Sequence, residues 1–237
     1  MKKSGLWKMV CVVCVFCAAS VIASPAQTLT TIYNFAGANG SHPYAGLLLA
    51  GDGNFYGTTV QGGPHGAGSV FKITPSGTLT TLHSFNGSDG LNPYAGLVLG
   101  NDGNFYGTTN NGGYHSIGEV FKITPGGTVT TLPGAAGNQG TIDGAGSVAR
   151  FYQPSGIAVD DLKNVFVADT LNQTIREISA AGVVTTIAGA ARSEGVRLGP
   201  LPGSLNHPGG IALLTGLGTS LIVADTVENS ILLVTLP

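Results

Sequence analysis

Two histidines at equivalent positions of a repeated loop are the residues best suited to chemistry. His65 lies in "QGGPHGAG" and His115 in "NGGYHSIG", fifty positions further along the chain. Imidazole nitrogens bind transition metals, so two such loops held together could share an ion and support a metal-assisted lyase or hydrolase. No carboxylate recurs beside them, and the simpler interpretation is that each imidazole caps its own glycine-rich loop. We therefore expect no cofactor, with His65 and His115 as ligands if a metal ion is bound.

Acidic and basic residues supply further candidates for ligand binding. Asp169 and Asp225 end two copies of "VADT", where they could bind cations or accept hydrogen bonds from backbone N–H groups of the following turn. We favour the structural role. Arg150 and Arg176 are the basic residues of most interest. Arg150, in "ARFYQP", could meet an anionic ligand or pack its stem over aromatic neighbours.

Tyrosines are the aromatic residues most able to supply contact area to a ligand. Tyr114 adjoins His115 and is the tyrosine placed among the ligand-binding candidates. Tyr33 and Tyr152 are further possibilities. Tyr44 and Tyr94 begin predicted strands, so we expect both in the core.

Familiar catalytic patterns are absent. The chain has no Gly-x-Ser-x-Gly, no His-Glu-x-x-His and no Gly-x-x-x-x-Gly-Lys sequence, and these are the local signatures of common hydrolases and nucleotide-binding proteins. A site assembled from several repeats would leave no local motif. The absence therefore favours a protein without catalytic activity but does not exclude an enzyme.

The first 26 residues have the features of a secretory signal peptide. Three lysines precede an apolar run over 9–23, and "SPA" follows at 24–26; the run is short for a membrane span, which needs about 20 residues. An uncleaved anchor is the alternative. All three cysteines lie in this segment, so residues 27–237 contain neither disulfides nor a thiol nucleophile. Removing three of the ten basic residues leaves a net charge of 7 − 12 = −5, which makes nucleic acid a poor partner.

The remaining chain is built from repeats of about fifty residues. Residues 29–78 and 79–128 align without a gap, with 32 of 50 positions identical, and a period of this size is typical of solenoids and propellers. Each unit contains four short apolar segments that predict strands, in the first unit at 29–35, 44–50, 54–59 and 69–75. Residues 129–183 and 184–237 follow the same order with a different sequence. We therefore predict an all-β fold, a single β-propeller domain over 27–237.

The eight residues "DGNFYGTT" occur at both 52–59 and 102–109. Asp-Gly favours a tight hairpin because both positions can adopt positive φ, and the glycine of "FYGTT" predicts a close approach of neighbouring groups. The stretch therefore indicates scaffold. A calcium site is the alternative, although "GDGN" lacks the alternating oxygen donors of a calcium loop.

The segment 29–35 offers a way to close the propeller. The last unit contains three predicted strands and lacks an outer one, so pairing 29–35 with that unit would close four blades and remove two open sheet edges. Half of a larger ring, completed by dimerisation, is the alternative to this monomer. In either arrangement the long connections, including 36–43, 60–68, 110–118 and 135–154, are expected on one face. A ligand would bind there, because function is carried on loops.

Two resemblances agree with this interpretation. Residues 129–237 resemble NHL repeats through "QPSGIAVD", "VFVADT", "TIREI" and "VTTIAG", and residues 29–128 resemble the bacterial "GloVer" tandem repeat through "GLLLAGDGNFYGTT" and "GSVFKI". Both resemblances imply a β-propeller that is secreted, periplasmic or on the bacterial cell surface. Neither implies an activity. The expected function is a non-catalytic binding or interaction module for a protein, peptide or glycan.

Overall fold

A computed structural model describes residues 28–113, 117–133, 140–191, 193, 195, 197–200, 203–214 and 220–236. The chain divides into two units, Met1–Thr31 and Ile32–Pro237. All of the sheets belong to the second unit. The predicted signal peptide lies outside the described residues. Within the described ranges, no helix is long and apolar enough to cross a membrane.

The second unit contains four antiparallel sheets, which we number in chain order. Sheet 1 consists of β1 (Leu48–Leu49), β2 (Phe55–Thr59), β3 (Ser69–Ile73) and β4 (Leu79–Ser84). Sheet 2 consists of β5 (Val98–Leu99), β6 (Phe105–Thr109), β7 (Glu119–Ile123) and β8 (Val129–Thr131). Sheet 3 consists of β9 (Gly144–Ala145), β10 (Pro154–Val159), β11 (Val165–Asp169), β12 (Thr174–Ile178) and β13 (Val183–Ala188). Sheet 4 consists of β14 (Pro208–Leu214), β15 (Ser220–Asp225) and β16 (Ser230–Thr235).

Each sheet is a meander in which consecutive strands are neighbours. The predicted order of strands within a repeat is therefore confirmed. The first strand of the repeat lies at one edge of each sheet, and in sheets 1 and 2 the segment that opens the next repeat, β4 or β8, forms the other edge. Sheet 3 gains a short strand that the sequence did not predict, because β9 pairs with the outer edge of β13. Two short 3-10 turns, Gly146–Val148 and Thr170–Asn172, complete the regular structure in the part of the chain described.

The core lies between successive sheets. One cluster joins sheets 1 and 2, where the ring of Tyr56 stacks on Phe105 with centroids 4.2 Å apart. A second joins sheets 2 and 3, and a third joins sheets 3 and 4 around Phe166 and Leu221. Strands that are apolar on both faces, such as β3 and β11, are buried on both sides. This two-sided burial is what packs one sheet against the next.

The repeated "DGNFYGTT" is scaffold, as predicted. Asp52 accepts hydrogen bonds from the backbone N–H of Asn54 (3.1 Å), from its side-chain amide (2.7 Å) and from the Tyr56 hydroxyl (2.8 Å). These donors lower the pKa of the Asp52 carboxyl, and burial, with the bond to Asp52, raises the pKa of Tyr56 to about 12. Asp102 makes the same three contacts in sheet 2.

The turn geometry differs from the prediction in one respect. Only the glycine has positive φ, 77° at Gly53 and 75° at Gly103. The backbone N–H of Ala50 donates to the carbonyl of Asn54 at 3.0 Å, which encloses a three-residue loop. Such loops place only their last residue in the left-handed region. Asp52 therefore needs no positive φ, and its side chain accepts the hydrogen bonds that hold the turn.

The expected closure by residues 29–35 is not found. Residues 28–36 form no strand, and β16 pairs with β15 alone among the described residues. Phe35 instead packs edge-on against Phe71 of sheet 1, with centroids 5.1 Å apart. Phe35 thus contacts sheet 1 through its ring, without a ladder of backbone hydrogen bonds.

Candidate functional site

Only one of the two histidines that could hold a metal ion, His65, lies among the described residues. His65 is exposed in the loop between β2 and β3. His115 and Tyr114 lie outside the described residues. In the described part of the chain, no three or more His, Cys, Asp or Glu side chains cluster so as to hold a metal ion. The pairing of His65 with His115 therefore stays a prediction.

Asp169 is a structural residue. Its carboxylate is fully buried and accepts hydrogen bonds from the backbone N–H of Tyr152 (2.7 Å) and the side-chain amide of Asn172 (2.8 Å). Arg176 lies 3.1 Å from the same carboxylate. Burial raises the pKa of Asp169 to about 7, against the lowering effect of these hydrogen bonds and of the nearby guanidinium. The backbone donor, Tyr152, precedes β10, which is the inner strand of sheet 3. The donors had been predicted in the turn that follows Asp169.

Arg176 ties the loop before β10 to the core of sheet 3. Its guanidinium is completely buried and forms a second ion pair with Asp143 at 2.7 Å. It also donates to the carbonyls of Arg150 (2.7 Å) and Ile142 (3.0 Å) and lies 5.3 Å from the centre of the Phe151 ring. Residues 142–151 are thereby fixed by one buried cation, which leaves Arg176 no role at a surface site.

Asp225 repeats part of this arrangement in sheet 4. It is buried and accepts a hydrogen bond from the backbone N–H of Asn206 at 2.6 Å. Leu232 occupies the place of Arg176, and Asp225 has no arginine partner among the residues that the structure describes. Asp225 is thus a structural residue, and its donor again precedes the inner strand.

Arg150 is also occupied within its own segment. Its guanidinium donates to the carbonyls of Val148 (2.7 Å) and Ala149 (2.9 Å), and to that of Ser147. These hydrogen bonds satisfy carbonyl groups at the end of the 3-10 turn that precedes β10. Among the described residues Arg150 is not seen packed over an aromatic ring, and its contact with an anionic ligand stays a prediction.

A set of strained residues marks one end of every sheet. Each residue immediately before the proline of an inner-strand segment is in the left-handed region, although none is glycine: His42, Asn92, Gln153 and His207, with φ of 59°, 57°, 49° and 60°. Such conformations are costly for ordinary residues and persist where surrounding contacts impose them. The carbonyl groups of His42 and Asn92 accept hydrogen bonds from Val60 and Asn110 just after the second strand, both at 3.0 Å. The fold therefore holds these four side chains at equivalent places.

Amide side chains connect three sheets at this end. Gln153 donates to Asn111 at 3.4 Å, Asn111 donates to Asn92 at 3.5 Å, and Asn92 donates to the carbonyl of Val60 at 2.9 Å. Sequence reasoning missed this chain. The available signal was the polar residue before each proline, since His, Asn and Gln recur there while the proline stays constant.

Two exposed tyrosines each follow a residue of the left-handed set by two positions, Tyr44 after His42 and Tyr94 after Asn92. Tyr44 and Tyr94 are 77% and 45% exposed, and their rings meet edge to face with centroids 5.8 Å apart. The expectation that they belong to the core is wrong. The inner strands are only Leu48–Leu49 and Val98–Leu99, so both tyrosines precede the strands. We call His42, Tyr44, Asn92, Tyr94, Asn111 and Gln153 the tyrosine–amide surface.

One buried carboxyl at the end of the 110–118 connection was also not predicted from the sequence. Glu119 is buried at the start of β7 and accepts a hydrogen bond from the Thr131 hydroxyl at 3.0 Å. Burial raises the pKa of this carboxyl. The sequence contained one signal for it, since Glu119 replaces the serine that the first repeat has at the equivalent position, Ser69.

A cleft of about 360 Å³ lies at the opposite end of the sheets, between sheets 2 and 3. It is lined by short turns and their neighbours, including Asp102, Lys122, Lys163 and Gly182. The ligand was predicted to bind on the long-loop face, at the other end of the sheets. The cleft shares no lining residue with the tyrosine–amide surface.

Four consecutive antiparallel meanders, packed through their apolar faces, define a β-propeller-like repeat protein. The chain belongs to the Gloeobacter/Verrucomicrobia repeat family, whose repeat matches residues 20–157. An NHL repeat matches residues 151–178. Both predicted resemblances are confirmed. No curated protein matches the chain.

Solved structures share this fold at low sequence identity. A structural genomics protein of unknown function from Bacteroides thetaiotaomicron is 24% identical, with a TM-score of 0.64 over 79% of this chain and 45% of that one. An auxiliary nutrient binding protein from Bacteroides ovatus is 20% identical, with a TM-score of 0.61 over 79% and 46%. Virginiamycin B lyase from Staphylococcus aureus is 16% identical, with a TM-score of 0.51 over 83% and 56%. The chain thus spans only about half the length of these proteins.

Proposed function

We propose that this protein is an extracytoplasmic binding module without catalytic activity, which takes up its ligand on the tyrosine–amide surface. The observation that carries the proposal is the exposed ring pair of Tyr44 and Tyr94. Paired exposed aromatic rings at one place are typical of recognition surfaces, because they combine a large apolar area with a hydroxyl that accepts and donates hydrogen bonds.

The amide chain supports the same conclusion. Asn92, Asn111 and Gln153 each offer both donors and acceptors, and their mutual bonds are long, at 3.4 and 3.5 Å. A polar ligand could replace such weak contacts at little cost. Hydroxyls of a glycan, or the main chain of a peptide, fit this mixture of aromatic faces and amides, and a protein partner could present either chemistry.

The solved relatives provide background support. One is described as an auxiliary nutrient binding protein, and a nutrient binder on the cell surface would use a scaffold of this kind. The lysine-led apolar segment at 1–26 and the net charge of −5 for residues 27–237 agree with export and with a partner other than nucleic acid. The proposal requires no cofactor.

Ligand binding by designed variants tests the proposal. The purified chain would be screened against glycan and peptide arrays, and hits would be measured by calorimetry for the chain and for Tyr44→Ala, Tyr94→Ala and the double variant. Each single change is expected to weaken binding about tenfold, since losing an aromatic contact costs on the order of 1–2 kcal/mol. Leu162→Ala, at an exposed position in a short turn, is the matched control and should bind normally. Unchanged affinity in the double variant would refute the proposed surface.

A metal-assisted lyase or hydrolase, with its ion at the mouth of the propeller channel, is the second candidate. It is supported by the exposure of His65, which leaves its imidazole accessible to an ion. Elemental analysis of the dialysed chain, beside a His65→Ala, His115→Ala variant, tests it. One tightly held ion per chain that disappears in the variant would favour the lyase or hydrolase; a metal-free chain that binds ligand without turnover would favour the binding module.

A further inference from the structure

Sheet 4 has an uncovered apolar face. Ile231 and Leu233 of β16 are 71% and 60% exposed, and Leu214 and Ala212 of β14 are exposed beside them. The corresponding isoleucine of sheet 3, Ile175, is completely buried in the cluster that joins sheets 3 and 4. The face of sheet 4 that is exposed is therefore equivalent to the face of sheet 3 that packs on sheet 4.

The edge of β16 is also open. Among the described residues β16 pairs only with β15, in an unbroken register from Ser220↔Thr235 to Asp225↔Ser230. The strand "SILLVT" contains no charged residue and no proline, and its ladder with β15 shows no bulge. Charges, prolines and bulges are the devices that keep an edge strand from pairing with another chain. Their absence indicates that this edge has a partner.

Sheet 1 offers the complementary surface. Leu47 is 50% exposed, whereas its counterpart Leu97 in sheet 2 is 6% exposed because sheet 1 covers it. Phe55 is half-buried, whereas its counterpart Phe105 is buried. The side of sheet 1 that faces away from sheet 2 is thus the side that a preceding sheet would cover.

Residues 32–35 follow the path of an outer strand across sheet 1. Phe35 meets Phe71 at 5.1 Å and 65°, and Phe85, directly after outer strand β4, meets Phe121 at 5.2 Å and 66°. A Cβ added to Gly77 would lie 2.3 Å from the carbonyl oxygen of Ile32, and one added to Gly127 would lie 2.4 Å from that of Leu82 in β4. Residues 32–35 therefore occupy the place of an outer strand but pair with no sheet in the described ranges, and sheet 4 has no outer strand there.

We propose that two copies of the chain associate head to tail. Sheet 4 of each copy packs on the exposed side of sheet 1 of the other copy, and residues 32–35 of that copy lie along the open edge of β16. Both surfaces are exposed at the same time in one chain, so they do not cover each other within it. In a pair of copies each sheet 4 covers the sheet 1 of the other copy. The two equivalent interfaces leave neither surface exposed, and the assembly is closed.

The length of the solved relatives favours closure by two copies. The chain covers 45% and 46% of the two Bacteroides proteins, so two copies have about the length of one such chain. The interface would continue the sheet-to-sheet packing already repeated three times in this chain. It needs no charged contact, which agrees with the uncharged composition of the exposed face of sheet 4.

Molar mass in solution is the first test. The purified 237-residue chain, expressed with its own leader, would be measured by light scattering after size exclusion. Twice the mass of one chain is expected at micromolar concentration. Ile231→Lys should reduce the mass to that of one chain, and Leu162→Lys, the control at an exposed turn, should leave it doubled. A single-chain mass for the unaltered protein, or a series of longer oligomers, would overturn the proposal.

A second experiment does not depend on a variant that disrupts the interface. Ile32→Cys and Ile231→Cys would be prepared as separate chains, mixed and oxidised. Disulfide-linked pairs that contain one chain of each kind are expected, because in the proposed interface position 32 of one copy lies beside position 231 of the other, whereas two equal positions do not meet. The unaltered chain, treated alike, controls for Cys11, Cys14 and Cys17 of the leader. If the mixture yields no more cross-linked pairs than either chain alone, residues 32–35 do not lie beside β16 of a second copy.

Discussion

Replacing Arg176 by leucine tests the account of sheet 3 most directly. Leu232 already occupies this position in sheet 4, so the backbone tolerates leucine there and the change isolates the buried cation. In sheet 3 it would leave Asp169 buried without its partner and would free the acceptors at Asp143, Arg150 and Ile142. Removing one member of a buried pair costs about 3–5 kcal/mol. We expect a loss of this size in the free energy of unfolding.

The expected loss is a large part of the total, since domains of this kind are stable by about 5–15 kcal/mol. Urea denaturation followed by circular dichroism would measure it. The cost should be smaller at pH 5 than at pH 8, because burial already raises the pKa of Asp169 to about 7 and the unpaired carboxyl can take up a proton. Adding Asp169→Asn to Arg176→Leu should recover part of the loss.

Trypsin provides an independent measurement. Arg176 holds the carbonyl of Arg150, so cleavage after Arg150 should be faster in the variant than in the unaltered chain. A loss below about 1 kcal/mol, together with unchanged cleavage, would refute the argument that one buried cation fixes residues 142–151. A full loss that Asp169→Asn does not reduce at pH 8 would show that packing, and not charge, is responsible.

Two further predictions concern the repeated turn and strand. Burial raises the pKa of Tyr106 to about 12 from about 10 in an unfolded chain; the folded pKa is the higher one, so stability should fall as pH rises from 10 to 12. Thermal unfolding over this range should show a shallower decline for Tyr106→Phe, and an equal slope would contradict the assignment. Gly107→Ala places a Cβ 2.5 Å from the buried Phe121 ring and should cost about 1–3 kcal/mol in urea denaturation. Gly51→Ala, where the added Cβ meets nothing, should stay within about 0.5 kcal/mol of the unaltered chain, and equal effects at both positions would contradict the packing argument.

The local scaffold could be predicted because its interactions join residues that are close together in the sequence. The Asp52 turn is formed by residues within four positions of one another, and the fifty-residue repeat with its alternation of apolar segments and glycine-rich turns gives the strand order. The structural role of Asp169 and Asp225 was expected from side-chain chemistry alone. Their donors were misplaced because Tyr152 and Asn206 reach them from distant parts of the chain.

The surfaces were decided by the tertiary structure. Tyr44 and Tyr94 have the same sequence context as core residues, and only the shortness of the inner strands exposes them. Arg150 and Arg176 look alike in sequence, yet one closes a turn and the other is fully buried. Ile175 and Ile231 occupy equivalent positions, and whether another sheet covers them determines that one is core and the other exposed. Burial depends on which sheet packs on which face, and a local pattern does not contain that information.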